Sequence, residues 1–305
     1  MTEGPLRNQT RDGLLLALGG FALLSTGDTL VKSMAGLWPG PAIATLRYII
    51  GTIGLGTILL LREGWAGFRM ERLGWHAVRG FGVAISAISF FTAVQIMPIA
   101  EATAISFTSP MMTALLASVL IGEPMRRETW VASLVAFAGV LIVLRPNFAV
   151  IGVAAMLPVI AAIGMSLLII GNRAVLGRGS ALSMQVNVAI FATLFLLGFT
   201  LIGHVSGFAA LHVGTPPWSV VAKSAMIAVT GSTAHALMYM ATSRAGAATV
   251  APMTYFQLIM AGFYGWLLFR ETPDAAALLG AAIIVGAGFY LWRAGRITDE
   301  PQGTE

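Results

Sequence analysis

Three charged residues stand where the surrounding sequence is too apolar to hydrate them: Asp28, Lys32 and Arg47. An ionisable group inside a hydrocarbon layer costs about 2.5 to 3.5 kcal/mol, so each must face a cavity or a partner. Asp28 and Lys32 are four residues apart, which puts them on one helix face and within ion-pair reach. The two can form a structural pair, or the carboxylate can hold a substrate group or a proton. Arg47 can neutralise Asp28, or it can bind an anionic substrate group.

Polar residues recur at helical spacing elsewhere. Ser232, His235 and Tyr239 share a face, and Thr254, Tyr255 and Gln257 follow Pro252. Ser106, Thr108 and Ser109 precede Pro110. A proline frees a backbone carbonyl one turn back, and such breaks in membrane helices are tolerated against a cavity or buried protein. The candidate substrate-binding or coupling set is therefore Asp28, Lys32, Arg47, Gln95, Ser106, Ser109, His235, Tyr239, Tyr255 and Gln257. Gln185, Asn187 and Trp266 are weaker members that can equally stitch helices together. Phe107, Tyr239, Tyr255 and Phe256 can stack on a flat ring or simply fill the core. Glu101, Glu123 and Glu271 fall at helix ends and read as caps or loop partners.

Other chemistries lack their residues. The four histidines (His76, His204, His212, His235) are scattered, no His-x-x-x-His pair occurs, and there is no cysteine. No nucleophile elbow is present, so neither an enzyme, a metal site nor a cofactor is expected. The two lysines, Lys32 and Lys223, are not preceded by glycine, so the chain has no phosphate-binding GK[ST] loop for ATP.

The elements that must position these residues are membrane helices. Of the 305 residues 57% are hydrophobic and 10% charged, more apolar surface than a soluble core of this length hides. Continuous runs near the ~20 residues needed to cross the hydrocarbon occur at Gly13–Met34, Pro41–Leu61, Gly74–Met97, Glu101–Gly122, Glu128–Leu144, Val150–Ile170, Leu182–Gly203, Trp218–Ala241, Ala247–Phe269 and Asp274–Trp292. The expected fold is an all-α integral membrane protein of about ten transmembrane helices. Small residues (Ala132, Ala136 and Gly139 in the fifth span, Ala282 and Gly286 in the tenth) read as helix-packing faces.

The net charge of +5 could suggest nucleic acid, but the arginines are spread through short loops rather than one stripe. With the N-terminus cytoplasmic, Arg7, Arg11, Arg62, Arg69, Arg72, Arg79, Arg126, Arg127, Arg173, Arg178, Arg244, Arg293 and Arg296 share that side, 13 of 18 cations. Both termini are then cytoplasmic, as tails over residues 1–12 and 294–305. The Arg62–Trp75 and His204–Pro217 connections are the long ones, and no soluble domain has room.

The ten spans divide into halves over residues 13–147 and 148–293. Aligned without gaps on Glu123 and Glu271, Ile99–Pro124 and Gly246–Thr272 match at Ala100/Ala248, Met112/Met260 and Leu120/Leu268. Five is odd, so the second half enters the bilayer inverted, a signature of secondary transporters.

The segments TLRYIIG (Thr45–Gly51), MPIAEATAISFTSPMMTALLASVLIGE (Met97–Glu123), AFAGVLIVLRP (Ala136–Pro146) and ATVAPMTYFQLIMAGFYGWLLFRE (Ala248–Glu271) resemble the drug/metabolite transporter superfamily. The likeness is to its ten-helix type with two EamA-type repeats, and spans nearly the whole chain. Arg270 departs from the pattern, which usually has Gly before Glu. The resemblance implies a secondary transporter moving a small organic metabolite across the bacterial cytoplasmic membrane by alternating access. The wording MPIAEATAISFTSP, with Arg79 and Gly80, is most similar to the subgroup holding riboflavin and S-adenosylmethionine transporters. Export of amino acids or drugs on the same scaffold is the alternative, with a membrane-embedded enzyme behind it. The implied partners are a small-molecule substrate and the lipid bilayer; a proton or counter-solute and a homodimer are open.

Overall fold

The computed structural model describes residues 4–120, 127–175 and 177–299, and among these every regular element is helical. Glu123 and Arg126 lie outside the described residues. In chain order the helices are α1 (Gly4–Lys32), α2 (Gly40–Glu63), α3 (Leu73–Ile96), α4 (Ile99–Ser106), α5 (Ser109–Leu120), α6 (Arg127–Ile151), α7 (Leu157–Ala174), α8 (Ala181–Val205), α9 (Trp218–Ala245), α10 (Ala247–Val250), α11 (Tyr255–Phe269) and α12 (Ala275–Asp299). Among the described residues, eight stretches have the length and apolarity to cross a membrane. Two further segments complete the expected ten spans. α9 is long but interrupted by Lys223, His235 and Arg244, and the α10–α11 span is broken by a 3₁₀ turn, Ala251–Thr254, over Pro252.

Helix extends into both expected tails, since α1 begins at Gly4 and α12 continues to Asp299. Helix needs no apolar surroundings to extend by hydrated turns. Likewise α6 runs through Pro146 to Ile151, and the chain turns instead at Gly152, whose φ is +60°. Such a positive φ suits glycine, which lacks a Cβ.

Helices pack by exchange between the halves. α1 lies on α9 and α3 on α7, so the first span of each half meets the third of the other. α2 pairs with α8 and α6 with α12, each span facing its counterpart. The broken spans follow suit, α4 and α5 against α7, and α11 against α1. Two mixed groups result: α1, α2, α9 and α11 on one side; α3, α4, α5, α7 and α8 on the other. Hydroxyl pairs bridge the groups along α2 and α8, Thr45 to Thr200 at 2.8 Å and Thr52 to Thr193 at 2.9 Å.

Close helix approach explains several small residues. A Cβ on Gly82 would sit 2.5 Å from the Gly164 carbonyl oxygen, and one on Gly164 would sit 2.5 Å from that of Gly82, so the α3–α7 crossing requires both glycines. In the α6–α12 contact, Ala132, Ala136 and Gly139 do face the partner helix. The α12 side differs from expectation: Ala282 is exposed and Gly286 has open space, whereas Ala277, Gly280, Ile284 and Ala287 are buried. Their three- and four-residue spacing is the helix stripe that faces α6.

Candidate functional site

Charged residues meet where α1, α2, α9 and α11 converge. Gln257 Nε2 donates to Asp28 Oδ2 at 2.9 Å, tying α11 to α1. Arg47 comes from α2 and lies close enough for its charge to act on both Asp28 and His235. Its guanidinium carbon is 4.6 Å from the Tyr48 ring centre and 5.7 Å from that of Phe91. On α9 it rests against Gly231, where an added Cβ would fall 2.8 Å from an Arg47 terminal nitrogen. Gly231 is one turn before His235 on the same helix face. Asp28, Arg47, His235 and Gln257, distant in sequence, thus form one polar cluster.

Arg47 is not paired within that cluster. Its buried Nε has no hydrogen-bond partner, and among the described residues no carboxylate lies within 4.0 Å of the guanidinium. The aromatic faces of Tyr48 and Phe91 attract the cation but cannot accept a hydrogen bond as a carboxylate does.

Lys32 turns away from Asp28. Its Nζ pairs with Glu271 Oε1 at 2.6 Å and donates to the carbonyl oxygens of Met97 at 2.7 Å and Val94 at 2.9 Å. The ring of Phe269 lies 5.6 Å away. An ammonium has three donors, and these three acceptors use them all. The other carboxylate oxygen, Glu271 Oε2, accepts the Ile99 N–H at 3.1 Å, at the first residue of α4. This knot sits one helical turn beyond Asp28 and joins the two mixed helix groups.

The turn delivering Glu271 explains the departure at Arg270. Arg270 ends α11 in the left-handed region, φ 55° and ψ 31°, and the Glu271 N–H returns to the Gly265 carbonyl at 3.0 Å. Glycine is favoured in that conformation at a helix end. Here arginine adopts it.

The remaining candidates are placed elsewhere. Gln95 Nε2 donates to the Trp38 carbonyl at 3.3 Å and stitches α3 to the α1–α2 connection. The Ser106 hydroxyl bonds back to the Ala102 carbonyl at 2.9 Å. The Ser109 carbonyl, in the first turn of α5, accepts from the hydroxyls of Ser166 at 3.0 Å and Thr113 at 2.7 Å. Tyr239 is 61% exposed, and its carbonyl accepts Thr242 and Ser243. Asn187 bonds Ser183 within α8 at 3.4 Å, and Trp266 is exposed.

Tyr255 lies in an aromatic group with Phe107, 5.8 Å away edge-on, and Phe289, 4.7 Å away and stacked; its hydroxyl rests over Gly288. With Glu123 and Glu271 aligned, Phe107 and Tyr255 occupy equivalent positions in the two halves. The counterparts therefore touch each other. A separate apolar cavity of ≈ 150 Å³ opens between α5 and α6, lined by Met111, Met112, Leu115, Trp130, Leu134 and Phe137 among others, away from the charged cluster.

Two features escaped the sequence reading. One is the link from Lys32 through Glu271 to Ile99, which joins residues far apart in the chain. The other is Arg79, counted with the cytoplasmic cations yet only 4% exposed. It donates to Asn172 Oδ1 at 2.7 Å and the Met184 carbonyl at 3.1 Å, and contacts His76 Nδ1 at 2.9 Å. Its position two turns into α3, next to Gly80 and Gly82, was the available signal.

The EamA-like transporter family model matches the chain twice, over residues 11–145 and 151–293. The S-adenosylmethionine uptake transporter of Rickettsia bellii is 28% identical over 267 residues, 88% of each chain. The riboflavin transporter of Rhizobium johnstonii is 29% identical over 238 residues, 77% of this chain and 75% of that one. The pseudopaline exporter CntI of Pseudomonas aeruginosa is 25% identical over 287 residues, 93% and 96%. One crystal structure matches with a TM-score of 0.59 at 18% identity over 93% of this chain and 98% of the other, which is a likeness of fold. The two family matches, the all-helical architecture and the eight apolar spans lead to one conclusion: the chain is a multi-pass membrane transporter of the EamA-like family within the drug/metabolite transporter superfamily.

Proposed function

We propose that the protein is a secondary transporter that exposes the Asp28 cluster alternately to the two sides of a bacterial cytoplasmic membrane and carries a small organic metabolite. The observation that carries this reading is the convergence of Asp28, Gln257, Arg47 and His235 from four helices, with the Lys32–Glu271 knot one turn away. A charged cluster built from residues of both halves is what an alternating carrier needs at its substrate site. Residues 13–147 and 148–293 act as the inverted halves, and the exchanged packing of α1 with α9 and α3 with α7 supports that division. The arginine distribution supports cytoplasmic termini, so Lys32 and Glu271 lie at the outer face.

Without a phosphate-binding loop, the driving force is a solute gradient, a proton gradient or exchange. The relatives named for S-adenosylmethionine and riboflavin support uptake of such a solute, while the pseudopaline exporter supports the opposite direction on the same scaffold. Counterflow in proteoliposomes decides. Vesicles preloaded with unlabelled S-adenosylmethionine, riboflavin, nucleosides or amino acids, one at a time, are expected to accumulate the labelled form above protein-free controls for one class. Silence across the panel by folded protein would remove these substrates from the reading.

A further inference from the structure

We infer that the site recognises both charged ends of an α-aminocarboxylate group, Arg47 receiving the carboxylate and Asp28, held by Gln257, receiving the ammonium. This deepens the transport reading above and rests on it for the location of the site. Two opposite charges occupy the cluster, and among the described residues neither has an ion-pair partner. Lys32 cannot serve Asp28, because Glu271 Oε1 and the Val94 and Met97 carbonyls engage its three donors. Asp28 receives one hydrogen bond, from Gln257, leaving acceptor capacity on its carboxylate.

Arg47 does not pair with Asp28; its guanidinium packs against Tyr48, Phe91 and Gly231. The buried Nε is left without an acceptor. A planar guanidinium fork matches a carboxylate in two parallel hydrogen bonds, which an ammonium point charge does not. Asp28 and Arg47 therefore feel each other's charge across a gap wider than an ion pair. A neutral ring system inserted there leaves both charges unmatched, and a simple anion or cation leaves one. A group with an ammonium and a carboxylate on one carbon matches both.

The test combines ligand and protein truncation. The probes are S-adenosylmethionine, L-amino acids, their decarboxylated and hydroxy-acid analogues, riboflavin and adenosine, read by thermal stabilisation of the purified full chain and by counterflow. At least one aminocarboxylate is expected to bind, and removal of its carboxylate to weaken binding at least about tenfold, the scale of a charge-assisted hydrogen bond. In Arg47→Gln that preference should fall to near unity, whereas Asp28→Asn, read by thermal stabilisation, should keep it and lose discrimination between amino and hydroxy acids. If Arg47→Gln does not fold, the Asp28→Asn arm and Arg47→Lys decide the matter. Binding of riboflavin or adenosine but no aminocarboxylate, binding of nothing, or full carboxylate preference in folded Arg47→Gln overturns the inference. Exchange of a flavin would sink the aminocarboxylate class and leave the carrier standing; Arg47-dependent binding without any exchange would do the reverse.

Discussion

Lys32 and Glu271 pair at 2.6 Å, and the same carboxylate accepts the Ile99 N–H at 3.1 Å, so a single side chain ties the end of α1 to the start of α4 and the approach to α12. The pair is mostly buried, with side-chain exposures of 10% and 18%. Removing one partner from such a pair leaves the other charge uncompensated, at a cost of about 3 to 5 kcal/mol. The knot spans both mixed helix groups at the end of α1 one turn beyond Asp28.

Glu271→Gln is therefore expected to lower the unfolding temperature by several degrees and to open that end. Because the chain contains no cysteine, a single Thr26→Cys, at the α1–α11 contact where the Thr26 hydroxyl lies 3.3 Å from that of Tyr264, reports access without background. An impermeant maleimide applied from the Lys32 side should label Thr26→Cys poorly, and the Thr26→Cys, Glu271→Gln double variant readily. Equal labelling of both would mean the knot does not close the path.

Gly231→Ala tests the seat of Arg47. The added Cβ would meet only the far end of a flexible side chain, at 2.8 Å, so folding should be little affected while the guanidinium is displaced. The expected result is an unfolding temperature within about 2 °C of the parent, given that changes below 0.5 kcal/mol move a domain by that order, with apparent affinity reduced about tenfold. Unchanged saturation kinetics would separate Arg47 from the substrate.

Tyr255 is embedded through its ring rather than its hydroxyl, between Phe107 and Phe289. Tyr255→Phe should leave transport and stability unaltered. Tyr255→Ala removes a large ring from a packed group, and comparable truncations cost about 3 to 5 kcal/mol. A loss of transport in Tyr255→Phe, measured on folded protein, would instead assign the hydroxyl a direct role.

Arg270 carries a left-handed backbone that L residues adopt at a cost of about 1 to 2 kcal/mol. Glycine relieves that cost but adds about 0.5 to 1 kcal/mol of unfolded-chain freedom. Arg270→Gly should accordingly stabilise the protein by up to about 1 kcal/mol with the Glu271 turn retained. Destabilisation would show that the arginine side chain contributes more than the turn costs.

The helical class and the membrane spans were legible because membrane burial demands long apolar runs, and these are local in sequence. Asp28, Arg47, His235 and Gln257 could be singled out one by one for the same reason, as polar groups in apolar surroundings. Their meeting could not be read, since it depends on α1 packing against α9 and α11. The i, i+4 spacing suggested an Asp28–Lys32 pair, but Lys32 found a carboxylate and two carbonyls from other elements, a tertiary choice that overrides local proximity. Gln95, Ser106 and Ser109 look alike in sequence to cavity residues; the bonds of the Gln95 and Ser106 side chains to backbone carbonyls, and the engagement of the Ser109 carbonyl by Ser166, are visible only once the breaks and loops are in place.

Counterflow by Asp28→Asn beside the unaltered protein bears most directly on the claim that the cluster is the transport site. The asparagine oxygen can still accept from Gln257, so folding should be preserved. With a solute that the parent exchanges, Asp28→Asn is predicted to fall to the level of protein-free vesicles while melting at nearly the same temperature. Exchange at the parental rate by folded Asp28→Asn would contradict the account and place the substrate elsewhere in the bundle.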